Sequence, residues 1–143
     1  VIARVGVAGL AAAVSMAVAA CGRSCEPLEI RRGDATLVTL CATRTRTEAE
    51  LRSGLVGRPP LAPDEALVLV FPVEDELCIT NAEVGFAIDA AFVDADGLVV
   101  AIERAVPAHD ERSLCHGPTA EVVEASRGAL DAVAPGDLVS GSP

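Results

Sequence analysis

The stretch Ala87–Glu103, AIDAAFVDADGLVVAIE, sets two apolar runs on either side of Asp94-Ala95-Asp96-Gly97. Asp and Gly form turns, and apolar runs flanking such a cluster predict a β-hairpin with buried strands. The same punctuation recurs along the chain. PLEIRRGDATLVTLC (27–41) reads as strand, turn near Gly33, strand. EALVLVFP (65–72), ELCIT (76–80) and AEVVEA (120–125) read as further strands, and Pro135-Gly136-Asp137 leads into a last short one. A short helix is expected at about 48–55. Thr47 and Glu50 have the spacing of a capping box, Glu48 and Arg52 lie one turn apart, and Gly57-Arg58-Pro59-Pro60 ends the run. Ser126 is expected to cap one further helical turn. The expected fold class is mainly β: a compact β-sandwich or partly open barrel of six to eight short strands with one or two short helices.

The 143 residues suit one domain with its own core, and 51% of them are apolar, which excludes a disordered chain. Aromatic residues are limited to Phe71, Phe86 and Phe92, so the core must be built from Val, Leu, Ile and Ala. The net charge of −10 is uneven. Residues 23–58 carry seven Arg against five acids, whereas residues 59–143 carry three Arg against sixteen acids. So acidic a body repels phosphate backbones, and nucleic acid is not an expected partner.

Arg4 is the only charge before Arg23, and Val5–Ala20 is an uncharged, mostly apolar run of sixteen residues. That is short for a membrane span, which needs about 20 residues, but it has the anatomy of a secretory signal. Its end, Val18-Ala19-Ala20-Cys21-Gly22, resembles the bacterial lipobox. The resemblance implies cleavage before Cys21 and lipidation of its thiol, with the membrane as a partner through the acyl chains. The expected organisation is a lipoprotein signal peptide over 1–20, a lipidated cysteine and short tether over 21–27, and one mainly β domain over 28–143. The expected location is the bacterial envelope, lipid-anchored, with Gly22 after the cysteine favouring the outer membrane.

Four cysteines remain: Cys25, Cys41, Cys78 and Cys115. An even number in an exported chain implies two disulfides, with three possible connectivities. Cys25 lies eight residues before Gly33 and Cys41 eight after, so a symmetric hairpin would set them opposite each other. That favours Cys25 with Cys41 and leaves Cys78 with Cys115. The rival readings are a reactive thiol or a zinc site at Cys115-His116 with His109, but no CxxC or HxxxH spacing accompanies them. Asp94-x-Asp96-Gly97 resembles the start of a calcium loop, yet its twelfth position is Ala105 rather than Glu, which favours a turn. No metal and no cofactor is expected.

Several segments resemble one family in order and spacing. GLVGR (54–58) is similar to Gly-Leu-Met-x-Arg, and LAPDEALVLVF (61–71) to Leu-x-x-Asp-Glu-Gly-Met-Leu-Phe-x-Phe. IDAAFVDADGLVVAI (88–102) is similar to Leu-Asp-Ile-Ala-Phe-Ile-Asp with its Gly turn and following strand. PTAEVVEASRG and PGDLV resemble the C-terminal pieces. Together, over about 35–140, they resemble the domain of unknown function 192 (DUF192). The resemblance implies a small, mainly β, often exported fold with no established reaction. Its Phe-Trp-Met-Lys-Asn-Thr run is replaced here by Leu77-Cys78-Ile79-Thr80-Asn81-Ala82. Only Asn81 survives, and a disulfide at Cys78 would stand where the family has an aromatic plug.

No G-x-S-x-G, no Ser/His/Asp set and no metal motif is present, so no catalytic residue is assigned. The leading expectation is therefore a lipid-anchored accessory or binding domain of the cell envelope, its ligand an envelope protein or a glycan. The alternative is a small hydrolase or carbohydrate-active enzyme working through paired carboxylates. The candidate pocket residues are Asn81, Asp89 and Asp94, with Glu103 as a further carboxylate.

Overall fold

Two hairpins and two long central strands account for most of the chain. The computed structural model describes residues 24–141; the expected signal segment and Cys21 lie outside the described residues. In chain order the elements are β1 (Glu26–Arg32), β2 (Ala35–Arg44), α1 (Glu48–Ser53), β3 (Glu65–Asn81), β4 (Ile88–Val93), β5 (Val99–Val106), β6 (Asp110–Ser126) and β7 (Leu138–Ser140).

The β1–β2 hairpin turns at Gly33-Asp34, where Gly33 takes a φ of 56° that a side chain would strain. The turn at Gly33-Asp34 and a register shift between Ile30 and Arg31 together set Pro27, not Cys25, opposite Cys41. Cys25 reaches Cys41 diagonally, and the two form a disulfide with Cα atoms 5.3 Å apart. Thr47 and Glu50 make the capping box: the Thr47 oxygen accepts the Glu50 N–H at 3.2 Å, and the Glu50 carboxylate accepts the Thr47 N–H at 3.1 Å.

All seven strands form one sheet in the order β5-β4-β6-β3-β2-β1-β7. Every pairing is antiparallel except β2 with β3, which run parallel because the α1 segment crosses between them. The sheet curls until the start of β5 meets β7. There Val99 N–H donates to the Asp137 carbonyl at 2.9 Å and Val139 N–H to the Gly97 carbonyl at 2.8 Å. Gly97 has a φ of 84°, and a Cβ there would stand 3.0 Å from the Val139 carbonyl oxygen, so the approach favours a glycine. The contact is limited to this end, and the sheet is not closed into a barrel. Of the two expected β architectures, the partly open barrel forms, not two stacked sheets.

The strands are longer than expected. β3 and β6 span seventeen residues each, and ELCIT is the continuation of β3 rather than a separate strand. Irregular pairing between Val70 and Leu77 absorbs Pro72, which could not donate to a regular ladder. Gly117 of β6 lies so close to β3 that a Cβ there would meet the Glu76 Cα at 2.7 Å. Further along, Cys78 and Cys115 stand directly opposite and are joined, with Cα atoms 4.0 Å apart. The expected helical turn after Ser126 is a series of i→i+3 turns instead, beginning with Ala129 N–H to the Ser126 carbonyl at 3.0 Å.

Both faces of the central strands are covered. One cluster fills the inside of the curl, with Ile30, Leu40, Val68, Val93, Val123 and Leu130 fully buried. The other lies on the outside, where Leu67, Leu69, Ile88, Phe92 and Val122 pack beneath Leu55, which follows α1. The Cys78–Cys115 bridge spans 37 residues of sequence. Closing so long a loop restricts the unfolded chain, so Cys78→Ala/Cys115→Ala should lower unfolding free energy by roughly 3–4 kcal/mol in denaturant titration. A loss below about 1 kcal/mol would mean that the bridge adds little to this fold.

Candidate functional site

Asn81 is buried, and its amide donates to the Phe86 carbonyl at 3.0 Å and the Pro107 carbonyl at 2.8 Å. It ties the β3–β4 connection to the end of β5. Asp89, buried on β4, accepts from three backbone groups: Ala105 N–H at 2.8 Å, Gly128 N–H at 2.9 Å and Leu130 N–H at 3.2 Å. It thus caps the turns after Ser126 from another strand. Asp94 accepts from Asp96 N–H at 3.0 Å and Leu98 N–H at 2.8 Å within its own turn. The fold does not gather these three side chains into one cavity. Glu103 faces His116, Oε1 to Nε2 at 2.7 Å, and the His116 ring meets the edge of Phe92 at a centroid distance of 4.6 Å. Cys115 is held in the disulfide with Cys78, and His109 turns its Nδ1 to the Ala82 carbonyl at 3.3 Å.

A different carboxylate emerges. A groove of about 510 Å³ runs between α1 with its following turn and the outer face of the sheet. Leu51 and Leu55 form one wall, and Leu69, Phe71, Ile79 and Val84 the other. Glu48, Arg52 and Glu83 stand at the rim, where Arg52 pairs with Glu48. At its floor is Glu124 of β6, only 4% exposed, set between Leu67 of β3 and Ala90 of β4. Its Oε2 has no hydrogen-bond partner among the described residues. Burial pushes the carboxyl up from its ordinary value of 4.5 to about 7, partly opposed by the Arg58 guanidinium.

The segment Gly54–Arg58 roofs this carboxyl. Gly54, at φ 48° and ψ −122°, ends α1 and accepts no side chain easily. A Cβ there would stand 3.9 Å from Glu124 Oε2 and 3.8 Å from Leu69 Cδ2. Both are ordinary contact distances, so Gly54 lies close over the carboxyl, and Oε2 beneath it is buried. Leu55 then turns inward to pack on the sheet. Two segments far apart in sequence, 54–58 and 120–125, build the floor and the roof.

Glu124 is absent from the sequence-predicted site, although AEVVEA holds a usable signal. Glu121 and Glu124 are three residues apart, so on a strand they point to opposite faces. In a strand flanked by apolar neighbours on both faces, at least one acid must enter a covered face. Here both do. Glu121 meets Arg44, Oε1 to Nη1 at 2.7 Å, while Oε2 of Glu124 meets no donor.

Residues 28–141 match a family described as DUF192, Uncharacterized ACR. No curated protein matches the chain. A protein of unknown function from Novosphingobium aromaticivorans DSM 12444 has a similar crystal structure, with a TM-score of 0.74 and 26% identity over 80% of this chain and 83% of that one. A candidate transcription regulator from Sinorhizobium meliloti 1021 is similar in fold, with a TM-score of 0.71 and 21% identity over 80% of this chain and 91% of that one.

Two measurements test the assigned roles. Asp89→Ala removes the acceptor for three backbone N–H groups and should cost at least about 3 kcal/mol of stability in denaturant titration. For Glu124 the raised value gives the sign. The folded state holds its proton more tightly, so its contribution is fully present below pH 4.5 and is lost as pH rises through about 7. Glu124→Gln should therefore gain on the wild type by on the order of 3 kcal/mol between pH 4.5 and pH 8, read as the difference between two pH–stability curves. Parallel curves would show that Glu124 is not the buried titrating group.

Proposed function

The chain belongs to the DUF192 family, and we propose that it is a lipid-anchored binding domain of a bacterial cell envelope that takes its ligand in the groove above Glu124. The observation that carries the binding role is the unpaired, buried carboxylate oxygen at the floor of a groove with apolar walls and a charged rim. Leaving such a group without a partner costs of order 1–3 kcal/mol or more, and a ligand donor would recover it. A binding site is also commonly a concave apolar surface with few polar groups.

The two disulfides support an oxidising compartment outside the cytoplasm. The lipobox resemblance at Cys21 supports the anchor, and outer-membrane placement follows from Gly22 by the same resemblance. The bridge from Cys25 leaves only Gly22, Arg23 and Ser24 between the anchor residue and the first crosslink. The domain would then sit against the bilayer. A binding role is preferred to carboxylate hydrolysis because both oxygens of Asp89 already accept backbone bonds, and Asp94 is committed to its turn.

Metabolic labelling with a fatty acid should mark the wild-type chain in the membrane fraction and leave Cys21→Ser unlabelled; label retained by that variant would overturn the anchor. Native mass spectrometry of chain extracted from its own envelope should show a bound mass that Glu124→Leu loses while keeping its fold. An adduct-free wild type, or one unchanged in Glu124→Leu, would overturn the binding site.

A further inference from the structure

Resting on the reading of the groove as a binding site, though not on Glu124, we propose that it takes an extended, basic segment of a partner protein, which adds as a strand to the free edge of β3 at residues 77–80. β3 has β6 along one side from Ala66 to Asn81, but its other side is paired only at the start. β2 pairs there from Glu65 to Val68, and Thr45 Oγ1 accepts the Val70 N–H at 2.9 Å. Beyond that point no strand joins this side among the described residues. The groove runs along the unpaired side, with Cys78, Ile79 and Thr80 on its β3 wall and Leu51 and Arg52 of α1 opposite.

Register decides which backbone groups face the groove. Opposed residues of an antiparallel pair alternate between bonded pairs, with Cα atoms about 5.5 Å apart, and unbonded pairs, about 4.5 Å apart. Cys78 and Cys115 are opposed with Cα atoms 4.0 Å apart, so they form an unbonded pair. The N–H and C=O of Cys78 therefore point away from β6, towards the groove, while those of Leu77 and Ile79 turn to β6. Among the described residues, neither Cys78 group meets the backbone of another element. Such an edge recognises an extended peptide: main-chain bonds hold it, and the flanking wall reads its side chains.

Edges are ordinarily guarded by proline, charge or a bulge. β3 has all three over residues 72–76, where the pairing is irregular and Glu74, Asp75 and Glu76 are exposed. The guards stop there: residues 77–81 carry no charge and no proline, and Cys78 and Thr80 are exposed. Charge selects the occupant. Glu74 accepts the Ala95 N–H at 2.5 Å, which leaves Asp75 and Glu76 before the unpaired stretch and Glu83 after it. Glu48, on the facing helix, is paired with Arg52. A segment with Lys or Arg at each end complements these acids, whereas a second copy of this chain would bring the same acids to the edge.

The test leaves the protein as it is and varies the probe. The full acylated chain in zwitterionic nanodiscs is titrated with a capped peptide of alternating Val and Thr with Lys at each end. One counterpart carries Glu at each end; another is N-methylated at every Val and Thr, which keeps side chains and charge but removes the donors. Saturating Lys peptide should slow hydrogen exchange of the Cys78 amide about tenfold or more and leave the Leu77 and Ile79 amides unchanged. The N-methylated peptide should give no protection. The Glu peptide should bind about tenfold more weakly, and Glu83→Gln should weaken the Lys peptide about threefold.

Unchanged Cys78 exchange with the Lys peptide, or equal protection by the N-methylated one, would overturn the strand pairing. Equal affinity for the Lys and Glu peptides would overturn the basic partner. Cys78 protection that rises with protein concentration in the absence of peptide would assign the edge to a second copy and overturn the proposal. If the wild type carries a bound mass from its envelope but the Lys peptide leaves Cys78 unprotected, the ligand class fails and the groove remains a binding site. If the peptide protects Cys78 and no envelope adduct is found, the Glu124 site fails and the edge stands.

Discussion

Strand β6 lies between β3 and β4 and has no solvent face from Glu121 to Ala125. Much of the molecule follows from that placement. The strand's odd-numbered residues join the cluster inside the curl, and its even-numbered residues join the cluster outside it. Each cluster requires a cover. β1, β2 and β7 curl round to close the first, and the α1 segment crosses over the second while it carries the chain from β2 to a parallel β3. The groove is the seam where that crossover meets the sheet.

The two acids of β6 meet the same constraint differently. Glu121 is buried with Arg44, whose guanidinium also donates to the Gly141 carbonyl near the end of β7. A buried carboxylate with a hydrogen-bonded cation is a tolerable interior arrangement. Glu124 has no cation within hydrogen-bonding distance, and Arg58 acts on it only through its field. Aliphatic substitution would relieve that cost in a purely structural strand. A buried carboxyl with an unpaired oxygen is what separates the outer face from ordinary core.

The fold was legible in part. Both hairpins and the capping box follow from turn residues and spacing near each element; hairpin spacing favoured Cys25–Cys41, and Cys78–Cys115 was what remained. The register shift at Ile30–Arg31 was not legible, because nothing local distinguishes a bulged from an unbulged strand there. Nor was the merging of EALVLVFP with ELCIT, since the stretch from Pro72 to Asp75 that separates them is absorbed by irregular pairing with β6. The proposed pocket of Asn81, Asp89 and Asp94 rested on polar residues beside strands. Each turns out to bond backbone groups, and for Asp89 those partners lie 16 to 41 residues away. Glu124 depended on the neighbours of β6 across the sheet, which only the topology supplies.

Polar side chains do in this small domain what additional secondary structure does in larger ones. Asp89 holds the turns at 127–132, Asn81 holds the β3–β4 connection, and Arg104 donates to the Leu130 and Val133 carbonyls. Arg32 grips Asp137 through two bonds of 2.8 and 2.9 Å and keeps its carboxyl below the ordinary range. Every one of these groups has its partners within the chain, and removing any of them would loosen a loop rather than empty a site. Carboxylate hydrolysis needs two acids free to exchange protons across a cleft, with environments that push them apart. Among the described residues, the buried acids other than Glu124 (Asp89, Glu121 and Asp137) are committed to backbone N–H groups or to arginine.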